Sequence, residues 1–256
     1  MTELHSRRTA LTALTLGATA SLGARSRANA AESADNPPAA EPIGACTLTP
    51  QAVEGPFYFD PKLVRSDIAE DRPGAPVRLL LRIIESGSCA PLANARVDVW
   101  HADASGWYSG YDAQGEGGAV STKGKTYLRG AQITDADGRV AFRTVYPGWY
   151  PGRTPHIHVK AFLDSKSLVT GQIYFPDEMS AKIYATREPY NARGGADTTN
   201  ANDFIFREGQ REGGGIVLAV AEDSADIVAS LVIAVDKSGG AARDGSGGMI
   251  RRWLGK

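Results

Sequence analysis

The chain has 256 residues, of which 42% are hydrophobic, and its 28 lysines and arginines nearly balance its 29 aspartates and glutamates. Removing residues 1–30, which hold four arginines and one glutamate, lowers the net charge from −1 to about −4. A slightly acidic chain lacks the basic surface that binds phosphate backbones, so no nucleic-acid partner is expected. The remaining length is enough for one domain with a sizeable core.

The first 30 residues have the features of a secretory signal. The pair Arg7-Arg8 precedes a mildly apolar run over residues 9–24, and Ala28-Asn29-Ala30 forms a small-x-small cleavage site. This order predicts a signal peptide over 1–30 that uses the twin-arginine route to the periplasm or the exterior. The run is too short and too rich in threonine and glycine for a membrane span. A disordered N-terminus with a chance arginine pair is the alternative.

Cys46 and Cys89 are the only two cysteines of the chain. After export both would lie in an oxidising compartment, where paired cysteines form structural disulfides. A bridge between them would tie the N-terminal segment to the first hairpin. Two buried free thiols are the alternative.

Short alternating or β-branched segments, separated by turn signals, follow the proline-rich and alanine-rich residues 31–45, which we expect to be a flexible lead. These strand candidates cover residues 77–85, 96–101, 140–145, 155–162, 171–175, 215–221 and 227–235. Asp135–Gly138 predicts a turn, and the polar residues 222–226 predict a hairpin. No long stretch has a helical period. The pattern indicates a mostly β domain over 46–237, an antiparallel β-sandwich core with long loops and few short helices. Residues 191–202 are expected to form a surface loop and 238–256 a mobile C-terminal tail.

The densest chemical signal is the segment 146–158, which reads YPGWYPGRTPHIH. His156 and His158 are two residues apart on a predicted strand, so both imidazoles point to one face and could reach one ion. Two half-exposed strand histidines are the alternative. His101, at the end of another predicted strand, is interpreted as structural.

Two histidines alone do not hold a metal, and no carboxylate nearby completes a facial triad. Two tyrosines lie in matching Gly-Trp-Tyr contexts, Tyr108 and Tyr150. Phenolate is a hard anionic ligand that favours Fe(III) over Fe(II) or Zn(II). A phenol with a pKa of about 10 stays ionised at neutral pH only on a strongly Lewis-acidic ion. A site of two histidines and two tyrosines would therefore be ferric. Core aromatics with satisfied hydroxyl groups are the alternative.

Five motifs in order carry a resemblance to a known family: EGPFY at 54–58, VDVWHADASGWYSGYD at 97–112, ITDADGRVAFRTVYPGWYPGR at 133–153, PHIH at 155–158 and GQIYF at 171–175. With these motifs the chain resembles the intradiol ring-cleavage dioxygenases, which include catechol and protocatechuate enzymes. The resemblance covers about residues 46–175. It implies one non-haem Fe(III) ion per chain, held by Tyr108, Tyr150, His156 and His158. It further implies that both atoms of O2 enter a catechol-type diol, whose ring opens to a muconate-type diacid.

The resemblance also assigns roles around the metal. Tyr150 would take a proton from the diol, Arg153 would stabilise developing charge and contact substrate, and Gln172 would hydrogen-bond a reacting oxygen. Pro56 and Phe57 would lie near the ring, where an aromatic side chain suits an uncharged catechol or hydroxyquinol better than protocatechuate. The link 151–155 is shorter than in many relatives, so the shape of the substrate pocket is not implied. The dimerising helical domain of the catechol enzymes has no room here, which leaves a homo-oligomer open.

Two rival functions use the same residues differently. An exported, non-catalytic β-sandwich module could bind carbohydrate or a partner protein through a platform of tryptophans: Trp100, Trp107 and Trp149. An exported zinc hydrolase could use all three histidines downstream of the predicted signal: His101, His156 and His158.

Overall fold

The computed structural model describes residues 46–223 and 226–239. The predicted signal peptide, the lead over 31–45 and the tail from residue 240 onward lie outside the described residues, and they stay predictions.

Strands dominate the described part of the chain. They are β1 (Pro76–Glu85), β2 (Arg96–Trp100), β3 (Arg129–Ile133), β4 (Arg139–Val145), β5 (His156–Leu163), β6 (Lys166–Tyr174), β7 (Ala219–Asp223) and β8 (Asp226–Val235). One four-stranded sheet has the order β4-β1-β8-β7 and the other the order β3-β2-β5-β6. The predicted β-sandwich is therefore confirmed.

The sandwich departs from the predicted antiparallel arrangement at one pair of strands. β1 and β8 run parallel, with Val77 opposite Ile227 and Glu85 opposite Val235. Parallel neighbours need a long connection, and here most of the domain lies between the two strands. The other strand pairs of the two sheets are antiparallel, including the predicted hairpin of β7 and β8.

Apolar residues at every second position build the core between the sheets. In β1 the side chains of Val77, Leu79, Leu81 and Ile83 are buried, while most residues between them are more exposed. The second sheet contributes Val97, Val99, Ile157, Val159 and Ile173 to the same cluster. Because side chains alternate along a strand, the intervening residues of the second sheet face away from this core.

Two short α-helices follow the second sheet, α1 (Asp177–Thr186) and α2 (Phe204–Arg211). Asp203 caps α2, since its carboxylate accepts hydrogen bonds from the backbone N–H of Ile205 at 2.9 Å and of Phe206 at 3.1 Å. Within the described residues, neither helix has the length and hydrophobicity needed to cross a bilayer.

A disulfide joins Cys46 to Cys89, whose Cα atoms lie 5.2 Å apart. Hydrogen bonds accompany it, because the Cys46 carbonyl accepts from Gly87 N at 3.2 Å and from Ser86 Oγ at 3.1 Å. The start of the described chain is thus fastened to the turn that follows β1.

Candidate metal centre

The outer face of the second sheet carries the chemical residues. His158 lies opposite Trp100 on one side and Gln172 on the other, and His156 lies opposite Tyr174. Directly opposite residues share a face of a sheet, so these five side chains lie on the surface that points away from the core. β5 is a central strand, paired on both sides, and it holds both histidines on rigid backbone.

The two Gly-Trp-Tyr loops meet above this face because their glycines pack backbone against backbone. Gly148 N donates to Asp103 O at 3.0 Å. A Cβ on Gly148 would lie 2.6 Å from Gly106 N and 2.7 Å from Ala104 O. Gly106 itself has a φ of +82°, which favours glycine. Only glycine allows the loops to approach this closely, and the approach brings the tyrosines that follow them together.

Four donor atoms converge at this meeting point. The Tyr108 hydroxyl lies 3.4 Å from the Tyr150 hydroxyl, 3.3 Å from His156 Nε2 and 3.1 Å from His158 Nε2. The Tyr150 hydroxyl lies 3.1 Å from His156 Nε2. Tyr108, His156 and His158 are at most 3% exposed, whereas Tyr150 is half-buried. The structure thus brings together all four residues that the sequence nominated as ligands.

Both histidines are held in the neutral form, in which an imidazole nitrogen can donate its lone pair to a metal. Burial, with a contribution from the charge of Arg153, lowers the pKa of His156 and of His158 well below the usual range. His156 Nδ1 donates to Thr154 O at 2.7 Å, which leaves the lone pair of Nε2 directed at the cluster. The His158 ring stacks on Trp100 with a centroid distance of 4.7 Å, and its buried Nδ1 has no hydrogen-bond partner among the described residues.

The two tyrosines, by contrast, stay protonated at neutral pH unless a bound cation stabilises their phenolate forms. Burial raises the pKa of Tyr108 well above its usual value, and the neighbouring Tyr150 raises it further. Burial also raises the pKa of Tyr150, against the opposing charge of Arg153. In the described residues, no group of three or more His, Cys, Asp or Glu side chains could hold a metal. A metal bound at this cluster would therefore draw on phenolic oxygens as well as on the two imidazoles, and a set of two phenolates and two imidazoles fits Fe(III).

Arg153 stands beside Tyr150 with its guanidinium fully engaged. Nε donates to Asp203 Oδ2 at 2.7 Å, Nη1 to the Tyr150 hydroxyl at 3.4 Å, and Nη2 to Gln172 Oε1. Burial alone would lower the pKa of Arg153, but Tyr150, Tyr174 and Asp203 outweigh it and raise the pKa. A permanent positive charge is therefore fixed next to the Tyr150 oxygen.

Gln172 contacts this arginine and two other protein groups. Its Oε1 also accepts from the Tyr174 hydroxyl at 3.1 Å, and its Nε2 donates to Val53 O at 3.1 Å. The sequence predicted a hydrogen bond from Gln172 to a reacting oxygen. The contacts in the structure orient the amide toward Arg153, and the bond to a reacting oxygen stays a prediction.

An aromatic wall closes another side of the cluster. The Phe57 ring stacks on Tyr108 with a centroid distance of 4.5 Å, and Pro56 beside it is exposed. Arg129 fixes this wall, since its Nη1 donates to Phe57 O at 2.6 Å and its Nε to Ser109 Oγ at 2.8 Å. The two predicted substrate contacts, Pro56 and Phe57, therefore lie on a segment that is tied to the sheet beneath the site.

Comparisons with known proteins agree with this geometry. A family model described as dioxygenase matches residues 50–188, a little over half of the chain and all four converging residues. The structure of an intradiol ring-cleavage dioxygenase from Tetranychus urticae superposes with a TM-score of 0.68 and 31% identity, over 75% of this chain and 95% of that chain. The chain belongs to the intradiol dioxygenase family.

Curated members of the family are similar over part of their length. A catechol 1,2-dioxygenase of Acinetobacter baylyi is 31% identical over 57% of this chain and 53% of its own length. A hydroxyquinol 1,2-dioxygenase of Rhizobium sp. is 30% identical over 54% of this chain and 50% of its own length. The chain thus spans about half the length of the curated relatives it matches.

Contacts among the described residues bear on the two rival functions. His101 uses both ring nitrogens, Nδ1 on Ala102 O at 2.8 Å and Nε2 on Thr144 Oγ1 at 2.7 Å, as expected for a structural histidine. Trp100 is 1% exposed beneath His158, and Arg193 covers Trp149 at 4.4 Å from the ring centroid. These contacts occupy His101, the third histidine of the zinc alternative, and cover two of the three tryptophans of the sugar-platform alternative.

The sequence reasoning missed two residues of this site, Asp203 and Arg129. An N-cap signal marks Asp203, because an acidic residue directly precedes the apolar start of α2. That signal predicts the start of a helix. It does not predict the contact with Arg153, which is 50 residues away along the chain. Arg129 is 1% exposed within a short strand, and no local pattern announces its hold on Phe57.

Proposed function

We propose that this protein is a non-haem iron(III) dioxygenase that inserts both atoms of O2 into a catechol-type diol. The ring would open between the two hydroxyl-bearing carbons and give a muconate-type diacid. The convergence of two phenolic oxygens and two imidazole nitrogens, each 3.1–3.4 Å from at least one of the others, carries this proposal. Membership of the intradiol dioxygenase family supports it.

Ferric iron, when bound, supplies a Lewis acid that draws electron density from the diol and prepares it for O2. Tyr108, His156 and His158 would hold it from the buried side. Tyr150 is the half-buried member of the set, so we assign to it the contact with an arriving diol. A diol that binds through both oxygens loses two protons; the Tyr150 phenolate would accept one of them, and the other would pass to solvent.

Arg153 acts through its fixed charge. Its Nη1 lies 3.4 Å from the Tyr150 hydroxyl, so negative charge that develops beside Tyr150 meets a cation already in position. A charge placed before reaction costs no reorganisation during it, which is the general basis of electrostatic catalysis. Gln172 keeps this guanidinium oriented through Oε1.

An uncharged aromatic diol is the substrate that the surroundings favour. Phe57 presents a ring against Tyr108, and the two arginines of the site are committed to protein partners. Arg153 is paired with Asp203, and Arg129 holds Phe57 O and Ser109. A carboxylate on the ring would therefore lack a dedicated cation, which favours catechol or hydroxyquinol over protocatechuate.

The test is aerobic purification followed by iron analysis, a visible spectrum and oxygen uptake over catechol, hydroxyquinol and protocatechuate. We expect one iron per chain, a red phenolate-to-iron charge-transfer colour, and uptake that yields a muconate-type product. Colourless protein that takes up no oxygen with any of the three diols would reject the proposal. Zinc-dependent hydrolysis without oxygen uptake would favour the hydrolase instead.

We propose further that the chain is exported by the twin-arginine route. The disulfide between Cys46 and Cys89 supports this, because such bonds persist in oxidising compartments. Replacing Arg7 and Arg8 by lysine in the full chain should leave the protein in the cytoplasmic fraction, whereas the wild type should be found outside it. Equal fractionation of the two would contradict the route.

A further inference from the structure

One fully buried carboxylate joins α2 to the candidate metal centre. Asp203 is 0% exposed, and its two oxygens accept four hydrogen bonds. Oδ1 receives the backbone N–H groups of Ile205 and Phe206, which begin α2. Oδ2 receives Arg153 Nε at 2.7 Å and Thr154 N at 3.1 Å. One carboxylate oxygen thus accepts hydrogen bonds from the start of α2, and the other accepts them from the segment that carries Arg153.

The contact with Nε determines how the guanidinium is turned. A guanidinium is planar and its five N–H groups form a rigid fork. With Nε held by Asp203, Nη1 is directed at the Tyr150 hydroxyl and Nη2 at Gln172. Rotation of the group would remove all three contacts together, so the Asp203 carboxylate controls the distance between the cation and Tyr150.

The link that carries Arg153 is short and has support from the same segment. Asp197 accepts a hydrogen bond from Gly152 N at 3.2 Å, and Asn200 Oδ1 accepts one from Thr154 Oγ1 at 3.0 Å. Residues 191–202, predicted as a surface loop, therefore contact the segment 150–155 that carries Tyr150 and Arg153. Asp203 is the residue of this support that reaches the charged group itself, and it lies beyond the family match, which ends at residue 188.

We propose that Asp203 is a positioning residue for the ring-cleavage reaction, acting through Arg153 on the environment of the Tyr150 oxygen. This inference rests on the proposed function. The competing explanation is that Asp203 serves only as the N-cap of α2. The two roles use different oxygens of the carboxylate, and substitutions can separate them.

Asp203→Ser and Asp203→Ala form the decisive pair. Serine retains an N-cap oxygen and alanine does not, but both lack the oxygen that holds Arg153. If Asp203 positions Arg153, both iron-loaded variants should lose kcat by on the order of 10–100-fold, with a smaller change in KM, and should shift the charge-transfer band alike. If Asp203 only caps the helix, Asp203→Ser should keep the wild-type kcat and band, which would overturn the proposal.

A double-mutant cycle with Arg153→Met tests whether Asp203 acts through Arg153. In that background, Asp203→Ser should leave kcat and the band at the values of the Arg153→Met protein, because the group it acts through is gone. A further loss equal to that of the single variant would also overturn the proposal. If Asp203→Ser does not fold, Asp203→Asn keeps the size and capping ability of the side chain and takes its place in the cycle.

A readout without iron keeps this inference separate from the proposed function. In metal-free protein, the Nε–H of Arg153 should exchange slowly with solvent by nuclear magnetic resonance, and Asp203→Ser should abolish that protection. Colourless wild-type protein with a protected Nε–H would reject the ferric centre while leaving the pairing intact. Rapid exchange in the wild type would reject the pairing whatever the metal.

Discussion

Gly148→Ala tests how the two tyrosines are brought together. The added Cβ would lie 2.6 Å from Gly106 N and 2.7 Å from Ala104 O, and closer still to Asp103 O. All three obstacles are backbone atoms, so no side-chain rotation relieves the contact. Ordinary carbon contacts lie at about 3.5–4.0 Å. The loops that carry Tyr108 and Tyr150 must therefore separate by roughly 1 Å.

Two consequences follow from that separation. Overpacking of this kind costs about 1–3 kcal/mol of unfolding free energy, and about 2–4 °C of Tm accompanies each kcal/mol in a domain of this size. A displacement of about 1 Å at a catalytic group can reduce turnover on the order of 10²-fold. We expect a lower Tm, a weaker or shifted charge-transfer band and a marked loss of oxygen uptake.

The matched control is Gly195→Ala. Gly195 has no heavy atom within 4 Å of the position where a Cβ would be added, and its φ is not in the left-handed region. Its replacement should leave Tm, colour and oxygen uptake unchanged. If Gly148→Ala behaves like Gly195→Ala in thermal melting and in the visible spectrum, the close approach of the two loops does not set the positions of the tyrosines.

Three other substitutions or treatments test separate parts of the structure. Tyr108→Phe should lower iron content and bleach or blue-shift the visible band, whereas Tyr146→Phe, which removes another buried hydroxyl, should leave both unchanged; an unaltered spectrum in Tyr108→Phe would exclude it as a ligand. Reduction of the Cys46–Cys89 bridge, which spans 43 residues, should lower the unfolding free energy by about 2–4 kcal/mol; two free thiols titrated in denatured, unreduced protein would refute the bridge. Burial lowers the pKa of His101 to about 4, below its usual 6.5, so the unfolded chain binds the proton more tightly and stability should fall as pH drops from 6.5 toward 4. Compared with His101→Gln in metal-free protein, the wild type should lose about 3 kcal/mol more over that window, and superimposable pH profiles would contradict this.

The sandwich could be predicted from the sequence because each strand and turn is indicated by its own neighbouring residues. The apolar run 77–85 and the alternation in 140–145 become β1 and β4, and the hairpin predicted from the polar stretch 222–226 is the antiparallel pair β7 and β8, with Glu222 opposite Ile227. The parallel pairing of β1 with β8 was not predictable in this way. An alternating strand presents the same faces in either direction, so its own residues do not specify which partner it takes or how that partner runs.

In the candidate site, too, local patterns predicted some residues, and long-range contacts bring in the others. The nomination of Tyr108, Tyr150, His156 and His158 needed only residue chemistry, strand period and family motifs. The neighbours that orient them, Asp203 and Arg129, are joined to the site by contacts across 50 and 72 residues. Their side chains are charged and buried, and a sequence shows the charge but not the burial.

Under the proposed function one of the four donors serves as both ligand and base, and the way the four are held favours Tyr150 for that role. His156 and His158 lie on a central strand that is paired on both sides, and Tyr108 is buried against Phe57. Tyr150 comes from a short link, is half-buried, and has the cation of Arg153 at 3.4 Å. A phenolic oxygen that leaves a metal must have somewhere to move and must tolerate a change of protonation. Under the proposed function, Tyr150 meets both conditions, and the segment that ends at Asp203 limits how far its loop can travel.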